Sequence, residues 1–223
     1  MKRILVVVAH PDDEVLGCGG TIAKHVSLGD IVNVIFLADG VNSRSDVGSQ
    51  ELEMREAYAR SACEFLGVNH ISFGQFPDNK LDALPLIEVV KYIETELSDF
   101  NPEIIYTHSA LDLNIDHQIV NRAVITATRP QSNCSVKTVL GFEILSSTEW
   151  FFSELMPAFK PNWFEDISET LDKKIKAMEL YRDELRAWPH PRSVQGIRHL
   201  AGLRGATIGV DAAESFILLR HIK

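Results

Sequence analysis

The chain has 223 residues and a formal charge of -9, from 31 acidic and 22 basic side chains. That balance argues against a nucleic-acid partner, because phosphate backbones are held by clustered Lys and Arg. No apolar run approaches the roughly 20 residues of a bilayer crossing, no signal peptide is evident behind Met1-Lys-Arg, and Cys18, Cys63 and Cys134 fit no CxxC spacing; a cytoplasmic protein with reduced thiols and no membrane partner is expected.

Ile4 to Ala9 is an apolar run without alternation, which suits a strand buried on both faces of a parallel sheet. Pro11 ends it by favouring an extended His10. Asp12, Asp13 and Glu14 follow, and a helix over Val15–Leu28, rich in glycine at its start, stops at Gly29-Asp30. Ile31 to Leu37 is a second buried strand, followed by Ala38-Asp39-Gly40 and a polar loop from Asn42 to Asp46. The second helix spans about Ser49 to Leu66. Its apolar stripe of Leu52, Ala59, Ala62, Cys63 and Leu66 places Arg55 in the remaining slot. An arginine there needs an anionic partner or a site to line.

A short strand over His70–Phe73 leads to a loop with Pro77, Asp78 and Asn79, and then to a helix over Leu84–Phe100. Strand four, Glu103 to Thr107, delivers His108. Asp112, Asn114, Asp116 and His117 then open a helix lasting to about Thr128, and a fifth strand covers Thr138–Leu145. This alternation indicates an α/β fold with a mostly parallel sheet. Beyond it come an aromatic stretch from Trp150 to Phe164, read as core, lid or subunit contact in a homo-oligomer, and a charged helix over Ile167–Leu185. A non-helical Trp188–Ser193, a short helix and a last strand over Ala213–Leu219 follow. With no repeat or linker, one domain over 1–223 is expected, its last third (about 146–223) supplying substrate-site loops and closing elements.

In open α/β sheets ligands bind beyond the carboxyl ends of the strands, where His10 to Glu14 and Asp112 to His117 both fall. Two imidazoles and a carboxylate, His10, His117 and Asp13, suit zinc with an open fourth position. Such an ion lowers the pKa of a bound water from about 15.7 to about 7, and Asp12 beside it can take the water's proton. Structural readings stand alongside. Acids at a helix start complement its dipole, and Asp112, Asn114 and Asp116 can cap the helix they open. Gly17-Cys-Gly-Gly20 is not a dinucleotide-binding turn, since the glycines come too late and the acids before them oppose a pyrophosphate; they let the helix pack closely on the sheet.

Ala9-His-Pro-Asp-Asp-Glu14, continuing as Val-Leu-Gly-Cys-Gly-Gly20, resembles the signature of the LmbE-like (PIG-L) zinc-dependent de-N-acetylases. Asp112-Leu-Asn-Ile-Asp-His117 is similar to that family's second metal motif, Arg55-Glu-Ala57 with Leu66-Gly67 to its second helix, and Ala213-Glu-Ser-Phe216 to its last strand. The resemblance implies a Rossmann-like three-layer fold and removal of an N-acetyl group from an amino sugar or its conjugate. It implies His10, Asp13 and His117 as ligands of Zn2+ (or another divalent metal such as Fe2+), Asp12 as general base, and Arg55 facing the substrate. Glu14 is left to order the turn.

One position departs from the family pattern: Asn114 stands where many members carry a histidine. Asparagine can donate a hydrogen bond to an oxyanion but cannot supply a proton at neutral pH. The amine's proton is then expected from Asp12, His108 or His190, with His108 better placed than His190, at a strand's carboxyl end. Asp78, Glu143, His190 and Arg192 are further candidate substrate contacts, Arg192 for a phosphate or carboxylate. The expected substrate is a small N-acetylated sugar or conjugate, nucleotide-linked in the version that suits Arg192. An amidase for another N-acyl compound and a catalytically inactive sugar- or nucleotide-binding module are the alternatives.

Overall fold

A computed structural model describes residues 1–40, 49–132, 134–152 and 157–223. Seven strands form one sheet in the order β3-β2-β1-β4-β5-β7-β6: β1 (Arg3–Val8), β2 (Ile31–Ala38), β3 (His70–Phe76), β4 (Ile104–His108), β5 (Thr138–Phe142), β6 (Trp163–Asp166) and β7 (Ala213–His221). The first five pair in parallel, and β7 runs antiparallel to both β5 and β6. Strand order reverses between β1 and β4, and the crevice above such a switch point is where this class of sheet binds ligands.

Among the described residues six helices cover the sheet: α1 (Asp13–Ser27), α2 (Ser49–Leu66), α3 (Leu86–Phe100), α4 (Ile115–Ala127), α5 (Leu171–Leu180) and α6 (Val194–Ile208). Ile4, Val6 and Val8 pack with α1, α2 and α5 on one face, while Leu5, Val7 and Ala9 pack with α3 and α4 on the other. Both faces of β1 are therefore core, which is why its sequence does not alternate. Each such aliphatic side chain contributes roughly 1.5–3 kcal/mol on burial. The α1 glycines do serve close packing: a Cβ on Gly17 would lie 2.5 Å from the Phe142 ring, and one on Gly20 would lie 2.8 Å from Ile167.

Several elements differ from the sequence reading; β3 runs on to Phe76, and the helix expected to be short, α6, has 15 residues. The fifth strand ends at Phe142, because the Ile144 N–H turns away to the Thr148 hydroxyl. Within the aromatic stretch, Trp163–Asp166 forms the antiparallel edge strand β6, too short to show a period. The charged helix keeps only Leu171–Leu180. The loop read over Asn42 to Asp46 and positions 153–156 lie outside the described residues. No described helix is long and apolar enough to cross a membrane.

A buried ion pair ties the second layer together. Lys174 Nζ donates to Glu214 Oε1 (2.6 Å) and to the Leu16 carbonyl (2.8 Å), and Glu214 also accepts the N–H groups of Gly20 (2.9 Å) and Thr21 (2.7 Å). Every charge in this cluster is met, as a buried pair requires.

Candidate metal centre

The chain leaves β1 at His10 and enters α1 through Asp12, whose φ is 111°. A positive φ is costly for a residue with a side chain, and such strain gathers at functional sites. Local bonds hold it. The Asp12 carbonyl accepts from Val15 and Leu16, and its N–H donates to Glu14 Oε2 at 3.1 Å. Burial pushes the Glu14 carboxyl up to about 8, against the pull of the Tyr181 hydroxyl that donates to its Oε1 at 2.6 Å. Glu14 thus orders this turn from a fully buried position.

His10, Asp13 and His117 are brought together, with a ligand atom of each within 4.8 Å of the others. Asp13 Oδ2 lies 3.4 Å from His10 Nδ1 and 3.3 Å from His117 Nε2. The far side of each ring faces carboxylate. His10 Nε2 is 3.0 Å from Asp78 Oδ1 and 3.1 Å from Asp116 Oδ2, and His117 Nδ1 is 3.0 Å from Asp112 Oδ1. Those carboxylates are themselves held: Asp116 accepts the N–H groups of Asn79 (2.7 Å) and Leu81 (3.0 Å), and Asp112 accepts from the hydroxyls of Ser147 and Thr148. A carboxylate behind each imidazole is the arrangement that orients metal-ligating histidines.

The electrostatics agree. Burial works to lower the histidines' pKa, but Asp13 and Asp112 outweigh it at His117 and raise it to about 9. At His10, Asp116, Asp13 and Asp78 likewise overcome burial. Asp13 stays well below the usual carboxylate range, since His117 and the other rings outweigh its burial. The pocket is built for positive charge, and two imidazole nitrogens with a carboxylate oxygen are donors that fit a divalent cation.

Asp12 and Asn114 line the same cavity, of about 190 Å³. Asn114 caps α4, its Oδ1 accepting the Asp116 N–H (2.8 Å), while its Nδ2 donates to Asn79 Oδ1 at 3.4 Å. Arg55 and Arg192 also line the cavity, but against this chain's own acids. Arg192 Nη1 is 3.2 Å from Asp12 Oδ2 and 2.9 Å from Glu184 Oε2; Arg55 Nη1 bonds Glu184 Oε1, and its Nη2 lies 3.8 Å from Asp12 Oδ2. Burial raises the Asp12 pKa, with Arg55 and Arg192 opposing it.

Three expected site residues do not line the cavity, though the His108 ring stacks on His117 with centroids 3.9 Å apart. His108 is fully buried beneath the cavity, its Nε2 taken by the Ala9 N–H at 2.9 Å, and burial beside His117 lowers its pKa to about 4. With that nitrogen an acceptor, it has no proton to deliver into the cleft. Glu143 points away to Arg204 of α6 (2.8 and 2.7 Å) and to the Ser215 hydroxyl. His190 accepts the Arg192 N–H at 3.1 Å and packs edge-on to Trp150, ordering its loop rather than lining the cavity. Asp78 lines the cleft, where it supports His10. Glu184 escapes sequence reasoning: no motif surrounds it, and the charged helix expected over Ile167–Leu185 ends at Leu180, before it.

The structure therefore defines an α/β protein of Rossmann-like strand order with a buried two-histidine, one-carboxylate centre at its switch point. The chain belongs to the PIG-L family: the family model, described as GlcNAc-PI de-N-acetylase, matches residues 5–128. It is similar to the diacetylchitobiose deacetylase of Thermococcus kodakarensis, 30% identical over 197 residues that cover 82% of this chain and 70% of that protein. In structure it resembles N,N'-diacetylchitobiose deacetylase from Pyrococcus horikoshii, with a TM-score of 0.80 at 22% identity over 98% of this chain and 84% of the other. It also resembles GalB, the 4-carboxy-2-hydroxymuconate hydratase from Pseudomonas putida KT2440, with a TM-score of 0.76 at 22% identity over 100% and 98%. The two structural likenesses speak to the fold alone.

Proposed function

We propose that the protein is a metal-dependent hydrolase that removes the acetyl group from an N-acetylated sugar conjugate. The observation that carries this reading is the convergence of His10, Asp13 and His117 on one point, with Asp12 beside them in the same cavity. A divalent cation held by those three, Zn2+ in our reading, would polarise the amide carbonyl and acidify a water.

Asp12 takes a proton from the attacking water as its oxygen bonds to the acetyl carbon. Asn114 Nδ2 donates to the oxyanion that develops. Asp12 then returns the proton to the nitrogen as the C–N bond breaks, leaving acetate and a free amine. This cycle needs neither His108 nor His190. The charges of Arg55 and Arg192 are met by Glu184 and Asp12, which supports an uncharged, hydroxyl-rich substrate over a nucleotide-linked one.

The test is metal analysis of the purified protein together with acetate release from N-acetylglucosamine, diacetylchitobiose and UDP-N-acetylglucosamine. The expected result is one divalent metal per chain, loss of activity on chelation, and turnover of the uncharged compounds over the nucleotide sugar. Metal-free protein indifferent to chelators would sink the reading. Addition of water to an unsaturated carboxylate without acetate release would move the protein to the reaction that GalB's name describes.

A further inference from the structure

We propose that the segment from Tyr181 to Glu184 is a clamp that positions Asp12, with Glu184 as its principal positioning residue. Tyr181 is the residue at which α5 ends, and the Glu184 N–H donates back to the Tyr181 carbonyl at 3.0 Å. Arg182 and Asp183 between them are exposed, while Tyr181 and Glu184 are buried, at 0% and 3% exposure. Both point at the turn carrying Asp12, by different routes.

The first route fixes the backbone. Tyr181 OH donates to Glu14 Oε1, and Glu14 Oε2 accepts the Asp12 N–H, at the residue whose φ is 111°. The second fixes the side chain. Glu184 sends one oxygen to Arg55 and the other to Arg192, and both guanidinium groups continue to the same Asp12 Oδ2. Arg192 Nη1 is shared between the two carboxylates, at 2.9 Å from Glu184 and 3.2 Å from Asp12. Without the Glu184 charge, Asp12 would draw Arg55 in as well, and two guanidinium groups rather than one would cover the carboxylate that has to meet water. Glu184 is thus spacer as much as tether: it keeps Arg55 back at 3.8 Å from Asp12 Oδ2 while Arg192 makes the hydrogen bond there at 3.2 Å. Buried carboxylates are kept where such pairing is complete.

The kinetic arm rests on the deacetylase reading above, and a structural arm does not. Glu184→Gln keeps the shape and removes the charge. The expected result is a kcat lower by roughly 10- to 100-fold, the range of a misplaced catalytic group, with KM within about twofold and metal content unchanged. In an Arg192→Ala background the same substitution should cost several-fold less, because both changes act through one carboxylate. Glu184→Asp, which keeps the charge, should recover part of the loss. Unchanged kcat, a rise in KM alone, or full additivity overturns the proposal.

Should Glu184→Gln not fold, Tyr181→Phe removes a single hydroxyl and should show the same kcat-only loss, and a wild-type kcat there counts against the clamp. If the wild-type protein releases no acetate from any compound, the deacetylase reading has failed and crystal structures of wild type and Glu184→Gln decide the clamp. Arg55 closing from 3.8 Å to hydrogen-bond distance of Asp12 supports it; an unmoved arrangement overturns it.

Discussion

Two buried polar clusters flank the first helix of this protein, and they are built on opposite plans. In the Lys174–Glu214 cluster, one cation meets one anion and backbone groups take the remaining bonds. In the cluster around His10 and His117, the carboxylates of Asp13, Asp78, Asp112 and Asp116 crowd two imidazoles. The first is complete within the chain and holds α1, α5 and β7 in register. The second sets four carboxylates around two imidazoles, an excess of acid over base that suits an added cation. Completeness marks the structural cluster, and imbalance marks the candidate metal centre.

The sharpest way to break this comparison is to unbalance the complete cluster. Lys174→Met leaves Glu214 buried without its cation, and such a loss costs about 3–5 kcal/mol. Denaturant unfolding should register that drop while metal content at the other cluster stays at wild-type level. A stability change under 1 kcal/mol would show the pair to be dispensable.

Metal removal tests the other half. A cation that binds only the folded chain stabilises it by about 2.7 kcal/mol at a hundred times its Kd. Chelated protein should therefore melt below metal-loaded protein. Equal melting temperatures would mean that the carboxylate excess is tolerated without a cation.

A smaller effect belongs to a third cluster, at the far end of the sheet, where His25 bridges Asp30 (2.8 Å) and Tyr106 (2.9 Å). Burial works to raise the Asp30 pKa, but the Lys2 N–H and His25 overcome it and lower it. A carboxyl lowered in the folded state adds stability above its unfolded value of about 3.9, and that stability is lost as pH falls through the folded value. Asp30→Asn should flatten the acid limb of the stability curve, by less than about 1 kcal/mol for a pair near the surface. An unaltered limb would show that the cluster is not linked to protons.

Much of this could be read without coordinates because it is local. The run from Ile4 to Ala9 declares a strand with two buried faces, and His10, Asp13 and His117 stand just beyond strand ends, where the fold class places ligands. What escaped is made by distance along the chain or by the direction of a side chain. Glu184 and Lys174 sit in a charged stretch, and only the packing of α5 onto α1, with the turn after it brought to Arg55 and Arg192, reveals that they are buried. His108 and Glu143 occupy positions beside those that do line the cleft. One ring turns under to take a backbone N–H, and one carboxylate swings out to α6. Sequence position could assign them to the right end of the sheet but not to a face.

The neighbouring placement of β1 and β4 has a consequence for how this scaffold can diversify. All three candidate ligands and the carboxylates behind them come from chain before residue 118, inside the matched span of 5–128, whereas Tyr181, Glu184 and Arg192 lie beyond it. Asp12 itself lies within the matched span, and only the residues proposed to position it come from the last third of the chain. Under the proposed clamp, substitution at Tyr181, Glu184 or Arg192 would alter the setting of Asp12 while leaving His10, Asp13 and His117 in place, a route by which the fold could vary its reaction around one centre.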